Sequence, residues 1–178
     1  MSTREELRTI ALAEFAAAGY AGTSLQRIAE LASVSKSSVL YHFASKEQLL
    51  EAAIGPAIDR MDEVLAPLES TGMRDRAAFL EAFVDFLLEY RLEVNMFINQ
   101  GPSLIDVPVI ERANELVRRL ATFFATNFDS LEEKMRFGIA LGGAAYMLCA
   151  VQTLGLPEVD EPAETKAVLL TILTDLLG

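Results

Sequence analysis

The sequence predicts an all-α protein of about nine helices, in which a three-helix head with a helix-turn-helix precedes a larger helical body. Three observations support this fold class. Apolar residues recur at spacings of three and four along most of the chain, as on one face of a helix. Serine or threonine repeatedly stands three residues before glutamine or glutamate, the spacing of a capping box. Glycine and proline separate these segments, and none alternates convincingly as a strand. We divide the chain into residues 1–45 and 46–178.

Length, charge and cysteine content limit the function classes. The 178 residues suffice for one compact body and a small appended head. No apolar run is long and charge-free enough to span a membrane, and the N-terminus MSTREELR lacks the apolar core of a signal peptide. The single cysteine excludes an intramolecular disulfide and fits a reducing compartment. We therefore expect a cytoplasmic protein with no membrane partner.

The first helix is predicted over residues 3–18. Leu7, Ala11 and Phe15 supply its inner face, and Gly19 is a good C-terminal stop. We expect this helix to brace the two that follow it.

Residues 23–46 predict two short helices separated by a tight turn. Thr23 stands three residues before Gln26, so the first of the two is expected to begin at Thr23. Ser33 lies in the turn, and Ser35 can cap the second helix. In a helix-turn-helix, the second helix presents its N-terminal residues to base edges in the major groove. We therefore predict that this segment reads DNA.

The head resembles the tetracycline-repressor (TetR) family of bacterial transcription regulators over roughly residues 5 to 50. The matching residues are Ala13, Phe15, Gly19, Thr23, Ser24, Ile28, Ala29, Ala32, Val34, Ser35, His42, Phe43, Ser45 and Lys46. Two positions depart from the family pattern. Ser33 replaces the usual turn glycine and would have to adopt left-handed backbone geometry. Leu40 replaces a tyrosine that commonly contacts DNA.

The motif places the candidate DNA contacts on and around the second reading helix. We expect Lys36, Ser37 and Ser38 to approach base edges, and we expect phosphate contacts chiefly from Thr23, Tyr41, His42 and Lys46, with Ser24 and Ser35 also at the interface. The net charge of −11 argues against nucleic acid at first, but residues 1–55 hold five Lys/Arg and six Asp/Glu, whereas the rest hold ten and twenty. The acidity therefore belongs to the body.

The body is predicted to contain helices from about Ser45 to Leu68, Arg74 to Arg91, 94–99, 106–128, 130–154 and 162–177. Gly55-Pro56 is expected to kink or break the first of these, as a candidate hinge or a simple bend. Ser45 with Gln48, and Ser130 with Glu133, have capping-box spacing. An acidic linker, 158–161, precedes the last helix.

The last two helices predict a homodimer interface. Glycines inside a soluble helix are costly unless another backbone comes close, and the resemblance implies a four-helix bundle across a two-fold axis. The candidate interface residues are Gly138, Gly142, Ala145, Cys149, Leu169, Ile172, Leu173 and Leu176. The alternative is that these small residues pack inside their own subunit. Cys149 is interpreted as a small buried hydrophobe rather than a redox-sensing thiol.

Aromatic residues and methionines in the body predict a ligand cavity between residues 74–91 and 107–128. The candidate lining residues are Phe83, Tyr90, Asn99, Phe123 and Tyr146. Aromatics at helical spacing are also ordinary core, so it is the resemblance that favours a cavity for an unidentified small, largely apolar effector.

Three function classes follow from these patterns. We predict a DNA-binding transcriptional regulator, a repressor released from a palindromic double-stranded operator by its effector. An all-helical protein-interaction module that no longer reads DNA is the alternative. An enzyme is disfavoured, because the sequence shows no phosphate-binding glycine loop, nucleophile elbow or catalytic residue set. The single histidine and single cysteine disfavour a metal site, and no cofactor is expected.

Overall fold

The computed structural model describes residues 3–101, 104, 106–153 and 161–177, which form nine α-helices and no strand. The helices are α1 (Thr3–Ala18), α2 (Leu25–Leu31), α3 (Lys36–His42), α4 (Lys46–Thr71), α5 (Arg76–Glu89), α6 (Arg91–Gln100), α7 (Pro108–Asn127), α8 (Leu131–Thr153) and α9 (Pro162–Leu177), with a 3₁₀ turn at Gly72–Asp75 between α4 and α5. The predicted all-α class is confirmed. The predicted helix over 74–91 divides into α5 and the start of α6, and linker residues 158–160 lie outside the described residues.

The head is built from α1, α2 and α3 around one small core. Phe15 of α1, Ile28 of α2 and Val39 of α3 are completely buried. The predicted start of α2 at Thr23 is one residue early, because Ser24 is the N-cap and its Oγ accepts a hydrogen bond from the Arg27 amide at 3.1 Å. Ser35 caps α3 as expected, accepting from the Ser38 amide at 3.1 Å.

The turn between α2 and α3 has the geometry that the sequence predicts. Ser33 has φ +55° and is the one non-glycine residue with positive φ among the described residues. The amide of the next residue, Val34, donates to the Ala29 carbonyl at 2.9 Å and closes the turn. A side chain in this backbone region costs roughly 1–2 kcal/mol.

Replacing Ser33 by glycine should therefore stabilise the protein. We expect the free energy of unfolding to rise by about 0.5–1 kcal/mol, since the relief of left-handed strain exceeds the added flexibility of the unfolded chain. Chemical denaturation measures this change. The control is Ala32→Gly, at a neighbouring φ of −80°, which should instead destabilise. A loss of stability in Ser33→Gly would contradict the strain argument.

Helix α4 connects head and body without a break. It runs through Gly55 and Pro56, so of the two outcomes predicted there, a kink or a break, the break does not occur. Ser45 caps it as predicted, accepting from the Gln48 amide at 3.2 Å. The Gln48 side chain accepts from the Ala44 amide at 3.0 Å, one residue before the cap, and not from the Ser45 amide as in a full capping box.

An arginine of α7 spans the proline segment of α4. The Arg112 Nη1 donates to Glu51 at 2.7 Å, and its Nη2 donates to Asp59 at 2.7 Å, one carboxylate on each side of Gly55-Pro56. Bending α4 at this point therefore requires that these ion pairs break or that α7 moves with it.

The body packs α4 to α9 into one layered bundle continuous with the head core. Leu65, Leu87, Met96, Ile110 and Leu173 are almost completely buried within it. None of the described helices is long and apolar enough to cross a membrane. Nor do the described residues bring three or more His, Cys, Asp or Glu side chains together as a metal site would require.

Candidate nucleic-acid interface and ligand cavity

The outer side of α3 carries the accessible side chains of the head. Lys36, Ser37 and Leu40 are exposed, and Tyr41 is 84% exposed with its ring edge-on to His42. Val39 occupies the inner side of the same helix. The helix therefore presents one cation, hydroxyls and an apolar side chain on a rigid support.

Two of the predicted DNA contacts are turned into the protein. Thr23 is buried, and its Oγ1 donates to the Gly19 carbonyl at 2.8 Å. The Lys46 Nζ donates to the Tyr20 carbonyl at 2.9 Å and the Thr23 carbonyl at 3.0 Å, and it lies over the Tyr20 ring. These side chains hold the turn between α1 and α2, so a phosphate contact through either would have to break internal hydrogen bonds.

The hydroxyls of the four serines expected at the DNA are partly occupied as well. Ser24 and Ser35 use their hydroxyls as helix caps, and Ser35 Oγ also bonds Ser37 Oγ at 2.8 Å. Ser38 is half-buried behind them. Lys36, Ser37 and Tyr41 are thus the most accessible polar members of the predicted set, with His42 half-exposed.

The same turn is held from the body by Gln100, at the end of α6. Its Oε1 accepts from the Tyr20 amide at 2.7 Å, and its Nε2 donates to the Phe15 carbonyl at 2.7 Å. One side chain therefore satisfies both a donor and an acceptor of the head backbone. Sequence reasoning missed Gln100 as a functional residue, because its partners lie 80 and 85 residues away.

The body contains an apolar cavity of about 470 Å³ bounded by five helices. Its walls are formed by Ile54, Ala57, Ile58 and Met61 of α4, Phe83, Phe86 and Leu87 of α5, Glu93, Val94, Phe97 and Ile98 of α6, Ala113, Leu116, Val117 and Leu120 of α7, and Leu141, Gly142, Ala145 and Tyr146 of α8. This volume is within the range of about 300–1,000 Å³ that small-molecule sites occupy.

Two of the five predicted cavity residues line this space, and three lie elsewhere. Phe83 and Tyr146 are in the wall. Tyr90 stacks on Phe86 instead, and Asn99 is exposed and donates to the Asn95 carbonyl of its own helix at 3.0 Å. Phe123 packs edge-on against the neighbouring Phe124 ring. The helices are rotated about their axes by packing that the sequence alone does not reveal.

Among the residues that the structure describes, Glu93 is the one charged side chain in the cavity wall, and sequence reasoning missed it. Burial raises the pKa of the Glu93 carboxyl above its usual range. Its own backbone amide and the charge of Arg8 on α1 lower that pKa, and Glu89 raises it further. A carboxyl in such surroundings is less strongly held in its charged form than an exposed one.

A continuous apolar face on α8 and α9 is exposed to solvent. Its large members are Leu131, Met135, Ile139, Tyr146, Met147, Val168, Ile172 and Leu176, and Gly138, Gly142 and Gly143 lie among them with free space beyond their Cα atoms. The predicted residues Gly138, Gly142, Ile172 and Leu176 belong to this face. The steps of four from Leu131 to Met135 and Ile139 were a signal for the members that the sequence prediction omitted.

Two predicted interface residues point the other way. Cys149 is 2% exposed and Leu173 is fully buried, both inside their own subunit, while Ala145 and Leu169 are half-buried. Burial raises the pKa of the Cys149 thiol to about 11. Because the thiolate is the reactive form, Cys149 is an inert core residue at neutral pH.

The head matches a known family, and relatives align with about two thirds of the chain. Residues 8–53 match the model of the bacterial regulatory proteins, tetR family. The chain is 34% identical over 117 residues to the HTH-type transcriptional regulator RutR of Escherichia coli K12, covering 66% of this chain and 52% of RutR. It is 29% identical over 132 residues to the HTH-type transcriptional repressor KstR2 of Mycolicibacterium smegmatis, covering 67% of this chain and 61% of that protein. The chain thus spans about half the length of RutR and three fifths of KstR2.

Solved structures share the fold along nearly the whole chain. A TetR-family regulator from Streptomyces coelicolor A3 superposes with a TM-score of 0.72 at 22% identity, covering 100% of this chain and 92% of that one. The ketosteroid transcriptional regulator KstR2 of Mycobacterium tuberculosis gives a TM-score of 0.70 at 18% identity, covering 99% and 94%. At these identities the likeness is one of fold.

Proposed function

Because this chain belongs to the tetR family of bacterial regulatory proteins, we propose that it is a transcriptional repressor that binds a palindromic operator as a homodimer and leaves it when a small molecule enters the body. The observation that carries the proposal is the exposed α3 surface on a head of that family. We propose residues 1–45 as the DNA-binding domain and 46–178 as the ligand-binding and dimerisation domain.

DNA contact is proposed for the accessible side of α3. Lys36 and Ser37 would approach base edges, and Tyr41 and His42 would reach phosphates. Leu40, where the family commonly has tyrosine, offers an apolar contact suited to a thymine methyl group. Since Arg27 is paired with Glu14 and Lys46 is turned inward, Lys36 is the main cation on this surface.

A mobility shift with the upstream DNA region of its own gene tests the DNA-binding proposal. We expect a shifted band. Footprinting of the same complex should show two symmetric half-sites whose centres are about 34–36 Å apart. A protein-interaction module that does not read DNA would give no shift above that of a scrambled duplex of equal length.

Two lysines of the head should behave differently when changed. Lys36→Ala should weaken operator binding by about 1–3 kcal/mol and relax the preference for the bases that it contacts, without changing thermal stability. Lys46→Met should lower thermal stability of the head, because the Tyr20 and Thr23 carbonyls lose their donor. Salt titrations and thermal unfolding separate the two effects. If Lys46→Met kept full stability and lost one unit of salt slope, Lys46 would be a phosphate contact as the motif implies.

Homodimerisation is proposed through the exposed face of α8 and α9. A face this apolar on two neighbouring helices matches the surface that a second copy would cover by forming a four-helix bundle. Gly142 and Tyr146 belong both to this face and to the cavity wall. A partner subunit would therefore also cover the side of the cavity that faces α8.

The effector signal is proposed to leave the cavity through α6. Phe97 and Ile98 line the cavity, and Gln100, two residues further along α6, is hydrogen-bonded to the head backbone. A displacement of α6 by a ligand would move the α1–α2 turn directly. The swing of α4 about Gly55-Pro56 that the sequence suggests would be restrained by Arg112.

Thermodynamic linkage tests the effector mechanism. A ligand that lowers operator affinity must bind more weakly to the operator-bound protein by the same factor, which is typically about 5–150-fold for allosteric couplings. Equal ligand affinity with and without saturating operator would contradict release by this route.

A further inference from the structure

We propose that the cavity selects an apolar amine, a molecule in which one cationic nitrogen is attached to an apolar body, and that Glu93 determines this preference. This inference rests on the proposed function, because it names the chemical class of effector for the same cavity.

The wall of the cavity sets the apolar part of the ligand. Apart from Glu93 and the phenol of Tyr146, every lining side chain belongs to alanine, glycine, isoleucine, leucine, methionine, phenylalanine or valine. Such a wall gains little from hydroxyl-rich or multiply charged ligands, whose polar groups would lose water without finding partners. A single polar group placed at Glu93 is the exception.

Glu93 lacks a charged partner that would compensate its burial. Among the described residues no lysine, arginine or histidine lies within ion-pair distance of its carboxylate. The charged groups that act on it are Arg8 of α1 and Glu89 of α5. A buried carboxylate is stabilised strongly by a cation that hydrogen-bonds to it. A ligand ammonium would supply that missing cation, whereas a ligand carboxylate would be repelled.

Three compounds of one shape test the charge preference. The probes are 1-adamantanamine, 1-adamantanol and adamantane-1-carboxylate, which carry a cation, a neutral hydroxyl and an anion on the same apolar cage. Calorimetry on the full chain at neutral pH should show the amine binding about tenfold or more tighter than the alcohol, since hydrogen bonds to charged groups are about twice as strong as neutral ones. The carboxylate should bind weakest.

Variants of two glutamates identify the residue responsible. Glu93→Gln should bring amine and alcohol affinities close together, and Glu89→Gln, which removes an equal charge outside the cavity wall, should keep most of the difference. Ala113→Phe, which fills the cavity, should remove binding of all three compounds.

Thermal unfolding without ligand shows whether the Glu93→Gln variant is folded. It also shows whether the charge of the Glu93 carboxylate lacks a compensating cation in the wild-type protein. Since the pKa of Glu93 is raised, its ionised form costs stability at neutral pH. Glu93→Gln should therefore raise the unfolding temperature near pH 7, and this gain should vanish below the usual pKa of a carboxyl.

The outcomes separate the ligand class from the function. Equal binding of amine and alcohol to the wild-type protein would overturn the preference for a cation and leave the proposed repressor function standing. An amine preference that survives Glu93→Gln would overturn the role of Glu93. An amine preference that is lost in Glu93→Gln, together with a loss of binding of all three compounds in Ala113→Phe, supports the inference.

Discussion

Replacing Ile139 by aspartate should convert the protein into a folded monomer that no longer binds its operator. Ile139 lies near the middle of the exposed α8 face and is 64% exposed in the single chain. A carboxylate buried there in a dimer would lack a compensating cation, which costs about 3–5 kcal/mol for an uncompensated buried charge. In the proposed dimer two copies would meet across a two-fold interface, so the dissociation constant should rise by more than about a thousandfold. Sedimentation and mobility shifts measure the two effects.

The control for this variant is Ala121→Asp, an equal charge on an exposed position of α7 outside the α8–α9 face. It should remain dimeric and bind operator as the wild type does. Because Ile139 is solvent-exposed in the single chain, Ile139→Asp should keep the helical circular dichroism of the wild type. If the Ile139→Asp variant still sediments as a dimer, the interface must lie elsewhere on the molecule.

The features that could be predicted from the sequence are those decided by neighbouring residues. The caps at Ser35, Ser45 and Ser130 need only a hydroxyl and an amide three residues apart; the Ser130 hydroxyl accepts from the Glu133 amide at 3.1 Å. The left-handed backbone at Ser33 was implied by the family resemblance, in which a glycine usually holds this turn position. The nine helices follow from apolar periodicity, which even the proline in α4 does not disrupt.

The features that could not be predicted depend on how whole helices rotate against each other. Lys46 is an ordinary surface lysine by sequence, and only the folded head brings the Tyr20 and Thr23 carbonyls to its ammonium. Tyr90 and Phe123 are aromatic residues of the body, as Phe83 is, and were predicted to line the cavity for the same reason. The rotation of their helices directs them away from it. Glu93 reads as a solvated charge until the fold places it, half-buried, in the cavity wall.

The α8 face shows a signal that was present and given too little weight. The sequence prediction concentrated on the glycines and on Cys149, which is buried in its own subunit. Leu131, Met135 and Ile139 repeat at steps of four immediately before and among those glycines. An apolar stripe that its own subunit leaves uncovered is the more direct mark of a partner surface.

Replacing Gln100 by leucine should both destabilise the head and disconnect it from the body. The Tyr20 amide would lose its partner, whereas the Phe15 carbonyl would lose one of two donors and keep the Gly19 amide at 3.1 Å. Because an unsatisfied buried group costs about 1–3 kcal/mol, we expect the free energy of unfolding to fall by about 1–3 kcal/mol. Operator affinity should fall as well, because the separation of the two heads is then less well fixed and binding must restore it. Denaturation, hydrogen exchange at the Tyr20 amide and mobility shifts report these effects.

Two variants distinguish a coupling role of Gln100 from a general packing defect. Asn99→Ala changes the neighbouring side chain, whose amide bonds only within α6, and it should leave exchange at Tyr20 and operator affinity unchanged. Gln100→Glu can still accept from the Tyr20 amide but cannot donate to the Phe15 carbonyl as an ionised side chain. It should therefore keep part of the Tyr20 protection while the operator response to a cavity ligand weakens. If Gln100→Leu kept the wild-type ratio of operator affinities with and without such a ligand, the signal would have to pass through α4, against the restraint of Arg112.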